Sequence, residues 1–309
     1  MASKKEEVVI RCHHDADGII SAYFLSFAVP NANIEIWGGD FGDTTGLKKG
    51  DWMVDMRPNT NMEGLNVIDH HLPHPYDEIK YNLTGEEVPA SYITWKKYKE
   101  DIPKSEWWKL AIGLVGDGQP ELIPTEVFDT CPTLLSKVKT SAYQSYGSWK
   151  MSYYPVYKLL SSYVNSHLRR GENKEALDLV KFSQNPINVL SSTKAQKSKS
   201  YVKSSFENCI KSCNSYEFDN LAVFIFSSED VRLSGYIAST MQSALSGKTV
   251  LALNRMSGRG SLRGDLAYYW RDKLKHLEYL IIDGHPGFCG VSCTVNPDTL
   301  VEDLMKGVQ

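Results

Sequence analysis

The stretch "RCHHDADGII", Arg11 to Ile20, sets two histidines and two aspartates within five consecutive positions directly after an apolar run. Buried charges are expensive unless they are paired or bound to metal. Exposed ones are not normally followed at once by Gly18-Ile19-Ile20. The pattern asks for a cation.

The elements around this stretch give it a setting. Val8-Val9-Ile10 reads as a strand and Ile19 to Val29 as a helix that stops at Pro30. Ile34–Trp37, Trp52–Val54 and Asn66–Ile68 read as further strands, each bounded by turn residues, and helical patterns follow near Ser91–Glu100 and Glu106–Val115. Strands alternating with helices predict an α/β domain with a largely parallel sheet and helices on both faces. The segment from about Pro120 to Phe182 reads as mostly helical and is rich in tyrosine. Ser191 to Cys213 is polar and lysine-rich, as a connector helix would be. A fresh α/β pattern begins at Leu221, with strands at Leu221–Phe226, Thr249–Leu253 and Leu280–Ile282 and a helix at Ser234–Leu245. The expected organisation is a first domain over 1–190, a connector over 191–215 and a smaller α/β domain over 216–309, facing the first across a cleft.

Three strand ends carry the same kind of residue. His13, Asp15 and Asp17 follow the first strand, Asp55 follows Trp52–Val54, and Asp69-His70-His71 follow Asn66–Ile68. In open parallel sheets ligands bind outside the carboxyl ends of the strands, so these groups are expected to converge. A further acid, Asp117, ends the helical run Leu110–Val115 between two glycines. Converging carboxylates repel unless cations neutralise them. Mixed carboxylate and imidazole ligands suit Mn²⁺, Fe²⁺ or Zn²⁺ better than a purely oxygen-bound ion. Nearly seven ligands exceed what one ion needs, which points to two metals, a recurring solution for phosphoryl hydrolysis.

At this point the sequence resembles the DHH phosphoesterase superfamily, through "HHDADG", Asp55, "DHH" at Asp69–His71 and Asp117 in "VGDG". "GSLRG" (Gly260–Gly264) is similar to the arginine-bearing substrate motif of that family's C-terminal domain. "DGHPGFCG" (Asp283–Gly290) is similar to its glycine-histidine signature, although Asp283, Phe288 and Cys289 depart from the usual residues. The resemblance implies that His13, Asp15 and Asp55 hold one ion. The other would be held by Asp17, Asp55, His70 and Asp117, with Asp55 bridging. It also implies that His71 faces the phosphate as donor or general acid and that Asp69 orients the histidines. Arg259, Ser261, Arg263, Gly284, His285 and Gly287 would contact substrate. Two Mn²⁺ ions are the implied cofactors, with Mg²⁺ as the alternative. They would activate a water for in-line attack on phosphorus.

Arg255, Arg259 and Arg263 recur every four residues among glycines, and arginine grips phosphate bidentately. Phe288 has two readings from sequence, a base-stacking ring or a core residue. The tyrosines of Ser141–Tyr163, interleaved with Lys150 and Lys158, have two readings, the buried face of an amphipathic helix or a base-stacking surface, of which the first is the commoner, and Trp107-Trp108 read as packing.

Composition narrows the partners. The net charge of -3 gives no general pull toward nucleic acid and no broad basic track for long DNA. No apolar run is long enough for a bilayer, so no membrane partner is expected. The six cysteines lack a zinc-knuckle spacing and read as free thiols, which places the protein in the cytoplasm. The expected activity is Mn²⁺-dependent exonuclease or phosphodiesterase cleavage of short single-stranded oligonucleotides to mononucleotides. RecJ-like 5′–3′ digestion of longer single-stranded DNA, cyclic-dinucleotide hydrolysis and a non-catalytic scaffold are the alternatives. The sequence leaves a homodimer open.

Overall fold

The computed structural model describes residues 7–71, 80–81, 88–145, 148–229, 232–285 and 287–307. The chain divides into two compact units. One comprises Met1–Val138 and Tyr153–Lys199, and the other comprises Lys139–Ser152 and Ser200–Gln309.

The first unit is built on a parallel sheet. Strands β1 (Val9–Cys12), β2 (Asn33–Ile36), β3 (Trp52–Val54), β4 (Asn66–Ile68) and β5 (Lys80–Tyr81) lie in the order β2-β1-β3-β4-β5. All pairings within it are parallel. Helix α1 (Ala16–Ala28) leaves β1 after a three-residue turn. Its first ten residues are all buried, so it is a central helix rather than a surface one. It packs with α2 (Ala90–Tyr98) and α3 (Leu110–Gly116), the latter preceded by a 3-10 turn at Lys104–Lys109. Trp107 and Trp108 of that turn are buried in the same core as Ile19, Ile20 and Phe24. Helix α4 (Thr125–Thr130) follows.

The next segment departs from the helical expectation. Lys137–Ser145 and Ser148–Pro155 form a two-stranded sheet, β6 and β7. The run Lys137-Val138-Lys139-Thr140 alternates lysine with β-branched residues, a period of two that the tyrosine spacing hides. Only Tyr157 and Tyr163, on α5 (Tyr157–Arg169), occupy a helix packed on the core as expected. Helices α6 (Asn173–Phe182) and α7 (Pro186–Ser191) complete this unit. The long helix α8 (Thr193–Ser212) begins in it and continues into the second.

Within the second unit, Tyr143 and Trp149 of the hairpin meet Phe206 of α8 edge-on, at ring separations of 5.1 and 6.2 Å. The unit's sheet has the order β12-β13-β11-β10-β9-β8. Its strands are β8 (Asn214–Glu217), β9 (Leu221–Phe226), β10 (Thr249–Asn254), β11 (Arg259–Arg263), β12 (Leu280–His285) and β13 (Phe288–Cys293). Only β9 and β10 run parallel, and both are buried along their whole length, as continuous apolar runs require. Helices α9 (Ser234–Ala244), α10 (Ala267–Leu274) and α11 (Pro297–Met305) belong to the same unit. The run Leu280–Ile282 is not a buried strand. It lies on the sheet edge with Ile281 62% exposed, because an antiparallel edge strand buries only alternate side chains. All six cysteines are free. Among the described residues no helix is long and apolar enough to cross a membrane.

Candidate metal centre

Strand order decides which side chains meet. Cys12, Val54 and Ile68 sit level on the adjacent strands β1, β3 and β4. The residues that follow them, His13, Asp55 and Asp69, therefore leave the sheet at one height, with Asp55 on the middle strand. The ladder carries one step further, through His13 N–H to the Val54 carbonyl (3.2 Å) and Asp55 N–H to the Ile68 carbonyl (2.9 Å). At Asp55 the backbone turns into the left-handed region, with φ of 56°. Aspartate tolerates that conformation better than most residues.

Asp55 is 2% exposed and touches a histidine on either side. One oxygen lies 3.3 Å from His13 Nδ1 and the other 3.2 Å from His70 Nε2. His13 Nδ1 is also 2.8 Å from an Asp15 oxygen. Two groups of potential ligand atoms thus converge, His13 with Asp15 and Asp55, and Asp55 with His70 and His71. Asp55 belongs to both.

Among the described residues, His13 Nδ1 and the Asp55 oxygen beside it are buried with only this ion-pair contact and Asp15 as polar neighbours, and one Asp117 oxygen is buried with no hydrogen-bond partner. Buried polar atoms left in that state are costly in an ordinary interior and are what a cation would satisfy. The donor set of imidazoles and carboxylates fits a divalent transition ion.

Asp17 and Asp117 stand beside these groups rather than within them. Asp17 is buried in the first turn of α1, where its carboxylate accepts from Ala90 N–H (2.7 Å), Ser91 N–H (3.1 Å) and the Ser91 hydroxyl. Helix α2 begins after Pro89 with no side-chain cap of its own, so Asp17 caps it from a different helix. Asp15 does the same locally, as N-cap of α1, accepting from Gly18 N–H at 2.9 Å.

The electrostatics record the crowding. Burial, together with the charges of Asp55 and Asp117, raises the Asp17 carboxyl well above its usual range. Burial likewise pushes Asp117 up to about 7, with Asp55 and Asp15 adding to it. Burial opposes protonation of His70, but its hydrogen bond to Asp55 and the surrounding carboxylates win, raising it to about 10. His13 is raised in the same way against its burial, by Asp15 and Asp55. With no metal bound, protons on these histidines would offset part of the carboxylate charge. Divalent ions would replace those protons.

His71 is held differently. Its Nδ1 lies 2.7 Å from a carboxylate oxygen of the fully buried Asp69, which assigns Nδ1 as the donor and leaves Nε2 toward the cluster. His14, by contrast, bonds Asn173 at 2.8 Å through Nε2. One residue of this site carries no sequence expectation. Phe41, in the loop after β2, meets His13 and His71 edge-on at ring separations of 5.4 and 5.0 Å. Its signal is an aromatic set among glycines and aspartates, "GGDFGD", after a parallel strand.

Gly18 shows how tightly the first loop is wound. A Cβ at this position would lie 2.5 Å from the His13 carbonyl oxygen and 2.9 Å from its nitrogen. Gly18→Ala is expected to displace the His13 backbone at a cost of about 1–3 kcal/mol, the scale of overpacking. It should lower the melting temperature and weaken Mn²⁺ binding together, as read by thermal denaturation with and without the ion.

The second unit places the remaining expected residues on β11 and the β12–β13 hairpin, and sets two of them in one row. Arg263, Phe288 and His285 are level on the adjacent strands β11, β13 and β12. The Arg263 and His285 backbones are therefore two strand spacings apart, roughly 10 Å. Pro286 and the His285 side chain lie outside the described residues. The Arg263 guanidinium rests over the Phe288 ring at 5.0 Å and donates to the Cys289 carbonyl at 3.1 Å. Phe288 is 39% exposed and is not core. Ser261 is buried with its hydroxyl 3.5 Å from the same carbonyl, and Arg259 is exposed. Arg255 instead forms a two-point ion pair with Asp298, at 2.9 and 3.2 Å. Gly284 (φ 150°) and Gly287 (φ 83°) are needed by the hairpin itself, since a Cβ on Gly284 would lie 2.3 Å from the Phe288 carbonyl oxygen.

A parallel sheet whose strand ends gather carboxylates and imidazoles, followed in the chain by a mixed sheet, defines a two-part α/β protein. No family model and no curated protein matches the sequence. Solved structures do. Over 98% of its length the chain is similar to RecJ from Thermus thermophilus in complex with Mn²⁺, at a TM-score of 0.60 and 14% identity. The match covers 51% of that chain, so this protein spans about half the length of that RecJ. It is similar, again over 98% of its length, to the DHH domain of a member of a family of ribosomal proteins (TM-score 0.64, 12% identity, 86% of that chain). A pGpG-specific phosphodiesterase from Vibrio cholerae matches over 98% of this chain and 99% of its own, with a TM-score of 0.54 and 13% identity. The chain shares its fold with these solved structures.

Proposed function

We propose that the protein is a metal-dependent phosphodiesterase that hydrolyses short single-stranded oligonucleotides to mononucleotides. The observation that carries this reading is a buried carboxylate, Asp55, shared by two converging groups of imidazole and carboxylate ligand atoms. Phosphoester hydrolysis is the chemistry for which paired ions are a recurring solution. One ion would be held by His13, Asp15 and Asp55, the other by Asp17, Asp55, His70 and Asp117. Mn²⁺ is the ion we assign, given the imidazoles in the set. Bound there, the pair supplies charge stabilisation to the phosphoryl group and activates water. Asp69 holds His71 through Nδ1, so that in its doubly protonated form Nε2 can donate to a phosphate oxygen. Arg263, Arg259, Ser261, Gly284, His285 and Gly287 are assigned to substrate contact in the second unit. The Vibrio protein supports the short-substrate reading, because its extent equals that of this chain and pGpG is two nucleotides long.

A second reading, action on longer single strands, rests on where the charge sits. Residues 131–206 contain twelve lysines and arginines against three acids, so the net charge of -3 conceals a basic segment. Backbone binding to a long strand needs such a local excess.

Digestion of 5′-labelled RNA and DNA with Mn²⁺, from dinucleotides to long single strands, separates the two. Rapid loss of two- to five-mers with little action on long strands is the expected result. Processive shortening of long DNA would replace it with the second reading, and no cleavage of any phosphoester would overturn both. Mn²⁺ alone should raise the melting temperature, and chelation should reverse the rise. At one hundred times Kd the stabilisation is about 2.7 kcal/mol. Arg263→Ala should keep that thermal response while lowering kcat/KM by about ten- to a hundredfold, the value of a charged hydrogen bond.

A further inference from the structure

Phe41 is a large apolar side chain left 39% exposed beside two histidines of the metal centre. A single exposed aromatic is ordinary on a protein surface. This one is unusual because the loop beneath it is fixed on both sides. Upstream, the Trp37 indole N–H donates to the Asp40 carbonyl at 2.9 Å. Downstream, the buried Arg11 guanidinium donates to the Asp43 carbonyl at 2.8 Å. Gly42 adopts φ of 79°, and a Cβ there would lie 2.0 Å from the Arg57 carbonyl oxygen. The Gly42 carbonyl in turn accepts from Asn59 N–H at 2.9 Å. The backbone that carries the ring is therefore already ordered, which lowers the cost of binding against it.

We propose that Phe41 is a specificity-determining residue that stacks on the nucleobase of the nucleotide whose phosphate occupies the metal centre. The inference rests on the phosphodiesterase reading above and adds a substrate class to it: nucleobase-bearing phosphoesters are favoured over base-free ones. His13 and His71 lie where phosphate would be held, and the Phe41 ring is one ring-to-ring contact farther out, as a base is set off from its phosphate by the sugar. Every base has a π face, so stacking of this kind favours a base without reading its identity. An ester lacking a base would leave the ring wet.

The test uses the Mn²⁺-loaded protein and two ligands, AMP and ribose 5-phosphate, with affinities measured by calorimetry. The wild type is expected to bind AMP about tenfold more tightly, the scale of one base–aromatic stack. Phe41→Leu keeps apolar bulk against the histidines but removes the ring. It should bring AMP affinity to within about twofold of ribose 5-phosphate, leave ribose 5-phosphate binding unchanged and keep the Mn²⁺-induced thermal shift. Phe41→Trp should restore the gap. The same ordering should appear in KM, not kcat, for a dinucleotide compared with its abasic counterpart. An AMP advantage that survives Phe41→Leu would overturn the proposal, as would equal binding of the two ligands by the wild type, and in either case the phosphodiesterase reading would stand. Loss of both ligands and of the thermal shift in Phe41→Leu would also overturn it, showing that the ring only positions the histidines. A wild type that binds neither ligand and cleaves no phosphoester would remove both readings at once.

Discussion

Asp55→Asn is expected to abolish the Mn²⁺-induced rise in melting temperature and to lower kcat/KM by at least about 10³-fold, roughly 4 kcal/mol of lost transition-state stabilisation. Asparagine is the informative substitution because it keeps the shape of the side chain and tolerates the left-handed backbone at this position. Asp55→Ala should lose the same activity with a further stability cost of about 1 kcal/mol from the backbone alone. The metal-free protein offers the sharper discrimination. Asp55 is one of the charges that raise the carboxyls of Asp17 and Asp117, so removing it relieves repulsion. The same change also removes the charge that His13 and His70 face, so the two effects offset and Asp55→Asn should shift the metal-free melting temperature little while the response to Mn²⁺ vanishes. A protein in which Asp55 served folding would show the reverse, a lower metal-free melting temperature with the Mn²⁺ shift intact.

Much of this centre is legible in the sequence because parallel-sheet topology converts order along the chain into position in space. A histidine or aspartate directly after a short apolar run emerges at the strand's carboxyl end, and adjacency of β1, β3 and β4 does the rest. What periodicity does not convey is the second duty of a ligand candidate. Asp17 reads as one more acid in the motif, yet it also caps α2, through Ala90 and Ser91 some seventy residues away. Nothing local in "DADG" announces that partner. The hairpin Lys137–Pro155 escapes for a different reason. Its tyrosines also fall at three- and four-residue spacings, so the helical pattern competes with the true alternation until Tyr143 and Trp149 are seen around Phe206. Phe41 carries no chemistry by residue type and becomes visible only when two histidines are found beside it.

The second large effect falls on His71, and its size separates a proton donor from a metal ligand. His70 and His71 are neighbours in sequence with rings 4.4 Å apart, yet their surroundings differ. His70 is 6% exposed and bonds the bridging Asp55, whereas His71 is 17% exposed and bonds Asp69 through Nδ1. Asp69 is itself an anion at ordinary pH. Burial works against its charge, but His71 and His70 hold its carboxyl below the usual range. A buried carboxylate behind an imidazole fixes the ring's orientation and stabilises its doubly protonated form, the form in which Nε2 can donate to a phosphate oxygen. His71→Ala is accordingly expected to lower kcat by about 10²–10⁴-fold, the range of one general acid or base. The Mn²⁺-induced thermal shift should survive. Asp69→Asn should lose less, about ten- to a hundredfold, because the imidazole remains but is no longer held. Should His71→Ala erase the thermal shift as completely as Asp55→Asn, His71 is a ligand: its ring nitrogen does lie within ligand range of Asp55 and His70. The proton donor would then have to be sought elsewhere. The predicted order of activity loss, Asp55→Asn first, His71→Ala second and Asp69→Asn third, with metal binding lost only in the first, is the pattern that a bridging carboxylate and an oriented imidazole produce together.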